Sequence, residues 1–145
     1  MRVVLDTNVL VSGLLNPRGS PAAVVDLLLA REVTALLDDR TLEEYVGVLS
    51  RPEFGFSPER VSFLTEFLRR DAERVDPEPL PLALPDPTDL PFLEVAVSGL
   101  ADALVTGNLR HFPEPLHHGV RVLAPAEFLR FWGEDPGRGL LPSGP

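Results

Sequence analysis

Arg2-Val3-Val4-Leu5-Asp6-Thr7-Asn8 is the stretch that decides the fold. Its three consecutive apolar residues, two of them β-branched, predict a strand covered on both faces, as in the middle of a parallel sheet. The strand stops on a carboxylate. Open parallel sheets bind ligands at their carboxyl edge, where strands hand over to helices, so Asp6, Thr7 and Asn8 stand where chemistry is usually done. The competing reading gives Asp6 only the task of capping a helix from Asn8 to Leu15.

Beyond that helix, Asn16-Pro17-Arg18-Gly19 predicts a turn, and Ser20-Pro21 supplies an N-cap hydroxyl with proline at the first helical position. Val24, Leu27 and Leu28 form the apolar stripe of this second helix, which ends near Ala30 or Arg31. Val33 to Leu37 reads as a strand. Asp38-Asp39 then caps a helix from about Arg40 to Leu49, closed by Pro52. Ser57-Pro58 repeats the cap-and-proline device ahead of a helix striped by Val61, Leu64, Phe67 and Leu68 and reaching roughly Ala72. Pro77, Pro79, Pro81 and Pro85 deny regular helix to the next segment and favour an extended connector. A helix from Asp89 to about Gly99, a strand over 103–106, a loop, a strand over 120–123 and a helix from Pro125 to near Trp132 complete the chain.

This alternation predicts an α/β fold with a mainly parallel sheet of four or five short strands. A chain of 145 residues has single-domain size. Residues 1–132 are the expected domain, and the glycine- and proline-rich residues 133–145 an expected mobile tail.

Composition narrows the chemistry. Cysteine is absent, which excludes disulfides, thiolate nucleophiles and cysteine-ligated zinc. All 13 basic residues are arginine, so mechanisms that demand a lysine are excluded too. A formal net charge of −9 argues against a general basic surface for nucleic acid. Bound cations among local carboxylates, with a few arginines lining the approach, would still let such a protein process a polyanion. Charges such as Asp26 and Glu94 interrupt every apolar run before it could span a membrane. Asp6 interrupts the N-terminus before a signal-peptide stretch can form, which makes the cytoplasm the expected location.

Three strand-to-helix handovers carry carboxylates: Asp6, then Glu43 or Glu44, then Asp86 or Asp89. Asn108 marks a fourth. Right-handed connections place equivalent turns on one edge, so Asp6, Asp89 and Asn108 can converge. Asp102 stands at the other end of its strand, roughly 20 Å from Asn108 at ~3.3 Å per residue. Ionised carboxylates within ~4 Å of each other repel by about 4 kcal/mol per pair at an effective dielectric of about 20, which a divalent cation relieves. Oxygen-only ligands suit Mg²⁺ or Mn²⁺, and the chemistry they support is metal-assisted phosphodiester hydrolysis. Each acid also has a structural reading. Asp86-Pro87 can simply begin a turn, Asp89 can cap its helix, and Glu43 and Glu44 can face solvent, away from Leu42, Val46 and Leu49. His111, His117 and His118 lack the spacing of a metal tetrad and read as loop histidines, while Phe131 and Trp132 read as packing residues.

Val3-Val4-Leu5-Asp6-Thr7-Asn8-Val9-Leu10 opens a set of motifs in order. Glu44-Tyr45 with Val48-Leu49 and Arg51-Pro52 follows, then Asp86-Pro87-Thr88-Asp89 with Phe92-Leu93-Glu94, then Leu104-Val105-Thr106-Gly107-Asn108. Together they resemble PIN-domain proteins, in particular the toxins of toxin–antitoxin pairs, from Met1 to about Phe131. The resemblance implies a three-layer α/β/α sandwich and Mg²⁺- or Mn²⁺-dependent cleavage of single-stranded RNA. Carried over by position, Asp6, Glu44 and Asp89 are the catalytic metal ligands, with Asp86 and Asn108 as further ligands and Asn8 and Thr106 as supporting polar groups. It further implies a homodimer and an antitoxin partner. Asn108 departs from the pattern, because an aspartate often stands there. An amide oxygen can still coordinate a hard cation but brings no charge and cannot act as a base.

Arg18, Arg51 and Arg110 are the candidates for substrate phosphate, which arginine grips in a bidentate way. A haloacid-dehalogenase phosphatase would want a second aspartate where Asn8 stands, and a response-regulator receiver would want a lysine. The remaining alternative is a catalytically weak or inactive PIN scaffold that binds RNA or a protein partner.

Overall fold

Val3, Val4 and Leu5 are at most 1% exposed, although successive residues of a strand point to opposite faces. Both faces of β1 (Arg2–Leu5) are therefore covered, and the protein is a three-layer α/β/α sandwich. The computed structural model describes residues 1–134. Its elements run β1, α1 (Thr7–Leu15), α2 (Ser20–Leu29), β2 (Thr34–Leu37), α3 (Asp39–Leu49), α4 (Pro58–Asp71), β3 (Glu73–Arg74), α5 (Leu90–Ser98), β4 (Ala103–Val105), β5 (Val122–Leu123) and α6 (Pro125–Gly133).

The sheet order is β3-β2-β1-β4-β5, with every pairing parallel. β1 is central. Val3 pairs with Ala35 of β2, and Leu5 pairs with Val105 of β4. Because all strands run the same way, Asp6, Asp38 and Thr106 leave the sheet at one edge. The core fills the space between that sheet and its helices with Leu36, Leu37, Leu68, Phe92, Leu93 and Phe128 among its most buried members. The stripe predicted for α4, Val61, Leu64, Phe67 and Leu68, is buried throughout.

Some boundaries differ from expectation for local reasons. Gly19 takes the N-cap of α2 and Ser20 lies inside the helix. Asn16 accepts from Arg18 N through its side chain and from Gly19 N through its carbonyl, so the turn delivers the chain into the helix one residue early. Asp38 alone caps α3, in a reciprocal box with Thr41. The helix expected from Asp89 begins with a 3-10 turn, Pro87–Asp89, and continues as α5. The last strand is shorter than 120–123, since only Val122 and Leu123 pair with β4.

β3 follows from no apolar pattern. It consists of two exposed charged residues on an edge, held by Arg2 against Glu73, Asp39 against Arg74, and Val75 N donating to Leu37 O at 2.9 Å. The proline-rich connector forms no helix, as expected, but it bends, with Leu82 N donating to Leu80 O at 2.9 Å. Glu78 N donates to Ser98 Oγ at 2.9 Å and Leu80 N to Glu94 Oε2 at 2.8 Å, which ties it along α5. Trp132 packs against the core. Gly133 closes α6, and the rest of the expected tail, from 135 onward, lies outside the described residues. Among the described residues no helix is long and apolar enough to cross a membrane.

Candidate metal centre

Asp6 occupies the N-cap position of α1, yet its carboxylate makes no capping bond. Instead Oδ2 accepts from Thr106 Oγ1 at 2.8 Å and from Asn8 Nδ2 at 3.3 Å. Leu5 and Val105 are paired, so the next residue of each strand meets its counterpart across the ladder. The Thr106 hydroxyl in turn accepts from Asn108 N at 3.0 Å, and Asn8 Oδ1 accepts from Gly107 N at 2.9 Å. A side chain at Gly107 would start 3.2 Å from Asn8 Oδ1, tighter than ordinary contact.

Glu44 reaches this edge from α3, where the Thr7 hydroxyl donates to its Oε2. Tyr45 OH donates to Leu5 O at 2.5 Å, which anchors α3 against the end of β1 and turns Glu44 inward. Glu44 is half-buried whereas Glu43 is exposed. The solvent-facing reading therefore holds for Glu43 and not for Glu44.

Asp89 is 6% exposed and, like Asp6, makes no capping bond. His111 Nδ1 lies 2.8 Å from Asp89 Oδ2. The two are paired at this distance, but off the direction of an ideal hydrogen bond, and no other donor reaches this buried oxygen. Asp86 does begin a turn: its Oδ1 accepts from Thr88 N at 3.0 Å and Thr88 Oγ1 at 2.7 Å. Asp86, Asp89 and His111 each offer one ligand atom, and the three atoms lie within 4.8 Å of one another. Asn108 directs its amide to the far side of the same ring, with Nδ2 2.9 Å from His111 Nε2.

Charge crowding follows from this geometry. Burial pushes the Asp6 carboxyl upward, opposed by the Thr106 hydrogen bond and reinforced by the charge of Glu44. Asp89 is raised to about 6, first by burial and then by Asp6 and Asp86, with His111 acting in the opposite sense. Half-buried Asp86 is lowered by its bonds from Thr88. Burial raises Tyr45, with Asp6, Glu44 and Asp38 adding to it.

Two other buried acids of the fold are treated differently. Arg40 donates through Nε to Asp38 Oδ2 at 2.7 Å and through a terminal nitrogen to Glu94 Oε1 at 2.8 Å. Among the described residues no arginine pairs with Asp6, Glu44, Asp86 or Asp89. The fold thus neutralises its structural acids and leaves this group without a permanent counter-charge beyond a histidine. A buried carboxylate oxygen whose one neighbour is a poorly aligned imidazole, in an oxygen-rich donor set, fits a hard divalent cation.

Asp6 is linked to Asn8 and Thr106 by hydrogen bonds and to Glu44 by charge, Asp86, Asp89, His111 and Asn108 form a group of their own, and the charges of Asp6 and Asp89 join the two. Arg18, Arg51 and Arg110 are exposed and, among the described residues, none places its guanidinium on the acids. Arg110 comes nearest in sequence, next to His111 in the 3-10 turn Leu109–His111. Asp102 lies at the opposite edge, where its Oδ2 accepts from Arg2 N at 2.7 Å. His117 has a loop role, its Nε2 2.6 Å from Phe112 O. The spacing argument passed over His111, whose partners Asp86 and Asp89 are more than twenty residues upstream.

An all-parallel α/β sheet with buried acids gathered at its carboxyl edge defines the class. Residues 2–110 match the PIN domain family, and the chain belongs to it. The match ends earlier than the resemblance to about Phe131 read from the motifs. No curated protein matches the chain. Among solved structures the chain is similar to VapBC2 from Rickettsia felis bound to a DNA fragment from their promoter, at 19% identity and a TM-score of 0.53, covering 86% of this chain and 98% of that one. It is also similar to FitAcB from Neisseria gonorrhoeae, at 19% identity, a TM-score of 0.51 and the same two coverages. A structure of FitAB bound to an IR36 DNA fragment gives 19% identity, 85% and 94% coverage and a TM-score of 0.51. These likenesses extend the shared fold beyond residue 110.

Proposed function

We propose that the protein is a divalent-metal-dependent endoribonuclease that hydrolyses phosphodiester bonds of single-stranded RNA, acting as the toxin of a toxin–antitoxin pair. Membership of the PIN family, whose domains are generally nucleases, supports hydrolysis of nucleic acid. The likeness to VapBC and FitAB toxin–antitoxin proteins supports an antitoxin partner. A homodimer and a cytoplasmic location complete the proposal.

The observation that supports it most is the mutual charge crowding of Asp6 with Glu44 and of Asp6 with Asp89, none of them paired with an arginine among the described residues. In this reading Asp6, Glu44 and Asp89 hold Mg²⁺ or Mn²⁺, with Asp86 alongside. The cation, when bound, supplies the positive charge that an attacking water and a departing oxygen need. Thr106 and Asn8 hold the Asp6 carboxylate to one orientation. Asn108 orients rather than charges the site, because its amide contacts His111. Arg110, beside His111, and the exposed Arg18 and Arg51 are the candidates for gripping substrate phosphate.

The test is incubation of purified protein with single-stranded RNA under Mg²⁺, Mn²⁺ or EDTA, beside an Asp6→Asn protein from a parallel preparation. Cleavage that needs metal and disappears in Asp6→Asn supports the proposal. RNA left intact under every metal condition favours a binding scaffold instead.

A further inference from the structure

The centre contains an imidazole that the carboxylates do not account for. His111 closes the 3-10 turn after β4, where its N–H donates to Asn108 O at 3.1 Å. The next residue, Phe112, is 2% exposed and anchors the turn in the core. Both ring nitrogens are engaged: Nδ1 faces Asp89 Oδ2 at 2.8 Å and Nε2 faces the Asn108 amide at 2.9 Å. The ring is therefore fixed in position and rotation, while about a third of its side chain still meets solvent.

A histidine present only to neutralise Asp89 would be expected to donate a hydrogen bond to it. Here Asp89 Oδ2 is buried and meets the ring across 2.8 Å, off the direction of an aligned hydrogen bond. A carboxylate oxygen and an imidazole nitrogen held this close are placed as two ligands of one ion are, once the ring proton between them is displaced. Asp86 adds a third donor within the 4.8 Å span. Metal-bound histidines characteristically engage their second nitrogen with a hydrogen-bonding group that fixes tautomer and orientation. Asn108 is in that position. Its amide has both donor and acceptor, and it presents Nδ2 to the ring. Turned to present its oxygen to Nε2–H when an ion displaces the Nδ1 proton, it would hold the tautomer whose Nδ1 lone pair is free, without adding another negative charge to a crowded site.

We propose that His111 is a metal ligand through Nδ1, together with Asp86 and Asp89, and that Asn108 is the positioning residue that sets its tautomer. This rests on the metal-centre reading above and deepens it. A nitrogen donor makes the site mixed in character and shifts its preference from Mg²⁺, which favours oxygen, toward Mn²⁺ and later first-row ions. The departure from aspartate at position 108 then belongs to a different division of labour, with imidazole as the fourth donor and the amide behind it.

Mn²⁺ titration combined with pulsed electron paramagnetic resonance tests this on the full chain. Wild type loaded with Mn²⁺ should show nitrogen coupling from a directly bound imidazole, and labelling histidine with ¹⁵N should change it. The coupling should vanish in His111→Gln, with Mn²⁺ affinity falling at least about tenfold and Mg²⁺ affinity falling less. Asn108→Leu should keep the coupling but weaken Mn²⁺ binding by about tenfold. Mn²⁺ bound by wild type with no nitrogen coupling would overturn the His111 assignment while leaving a carboxylate metal centre intact. Absence of Mn²⁺ binding would overturn both, and unchanged affinity in Asn108→Leu would remove the positioning role.

Discussion

Thr106 Oγ1 donates to Asp6 Oδ2 at 2.8 Å, joining residues one hundred positions apart at the same edge of the sheet. The hydroxyl is fully buried and also accepts from Asn108 N, so it serves two partners at once. Thr106→Val keeps the shape and removes both bonds. It should destabilise the protein by about 1–3 kcal/mol, as for buried groups left unsatisfied, read by chemical denaturation. Stability within 0.5 kcal/mol of wild type, on the order of an ordinary surface substitution, would mean that the hydroxyl is not holding the carboxylate.

Arg40 is the sole arginine partner of two buried acids among the described residues, Asp38 and Glu94. Arg40→Met should cost roughly 2–3 kcal/mol. That is below the full penalty for breaking a buried pair, because Arg40 is itself half-exposed. Adding Glu94→Gln should recover part of the loss, since the amide oxygen can still accept from Leu80 N. The proline-rich connector should become more susceptible to proteolysis in Arg40→Met and less so in the double variant.

The pH dependence has a definite sign. Asp89 keeps its proton up to about pH 6 in the folded protein, whereas the unfolded chain releases it in the ordinary carboxylate range. The folded state thus binds more protons in that interval. The stability Asp89 contributes is complete below its unfolded value and is lost as pH rises through about 6. Asp6, also raised, acts in the same direction. The melting temperature of metal-free protein should fall across this window, and Asp89→Asn should flatten the fall. Mn²⁺ should reverse it, because the deprotonated acids bind the ion. A metal-free protein that gains stability across the same window would contradict the crowding of these acids.

Asp6→Asn removes one of the crowded charges. Thr106 can still donate to the amide oxygen, so the metal-free variant should melt no lower than wild type near neutral pH. The upward shift that saturating Mn²⁺ gives wild type should shrink or vanish. Calorimetry with and without Mn²⁺ reads both effects, and an undiminished shift would exclude Asp6 as a ligand.

Much of this arrangement was legible in the sequence. Three apolar residues ending on Asp6 gave the central strand, because burial on both faces demands a continuous hydrophobic run. The stripe of α4 gave a buried face at helical spacing. Glu44 could not be separated from Glu43 by periodicity alone, since what distinguishes them is the Tyr45 hydroxyl reaching Leu5 O. β3 was invisible because its two charged residues are strand only by virtue of pairing with β2. His111 was missed for a similar reason: ligand spacing is a property of local motifs, and its neighbours Asp86 and Asp89 arrive from another part of the chain.

The central claim is that Asp6, Glu44 and Asp89 share one ion. A crystal soaked in Mn²⁺ and measured at a wavelength where manganese scatters anomalously addresses it directly. One anomalous peak within roughly 2.0–2.4 Å of carboxylate oxygens from these residues, allowing a water in place of one, is the predicted result. No peak at saturating Mn²⁺, or a peak bound by a single one of these side chains, would contradict it.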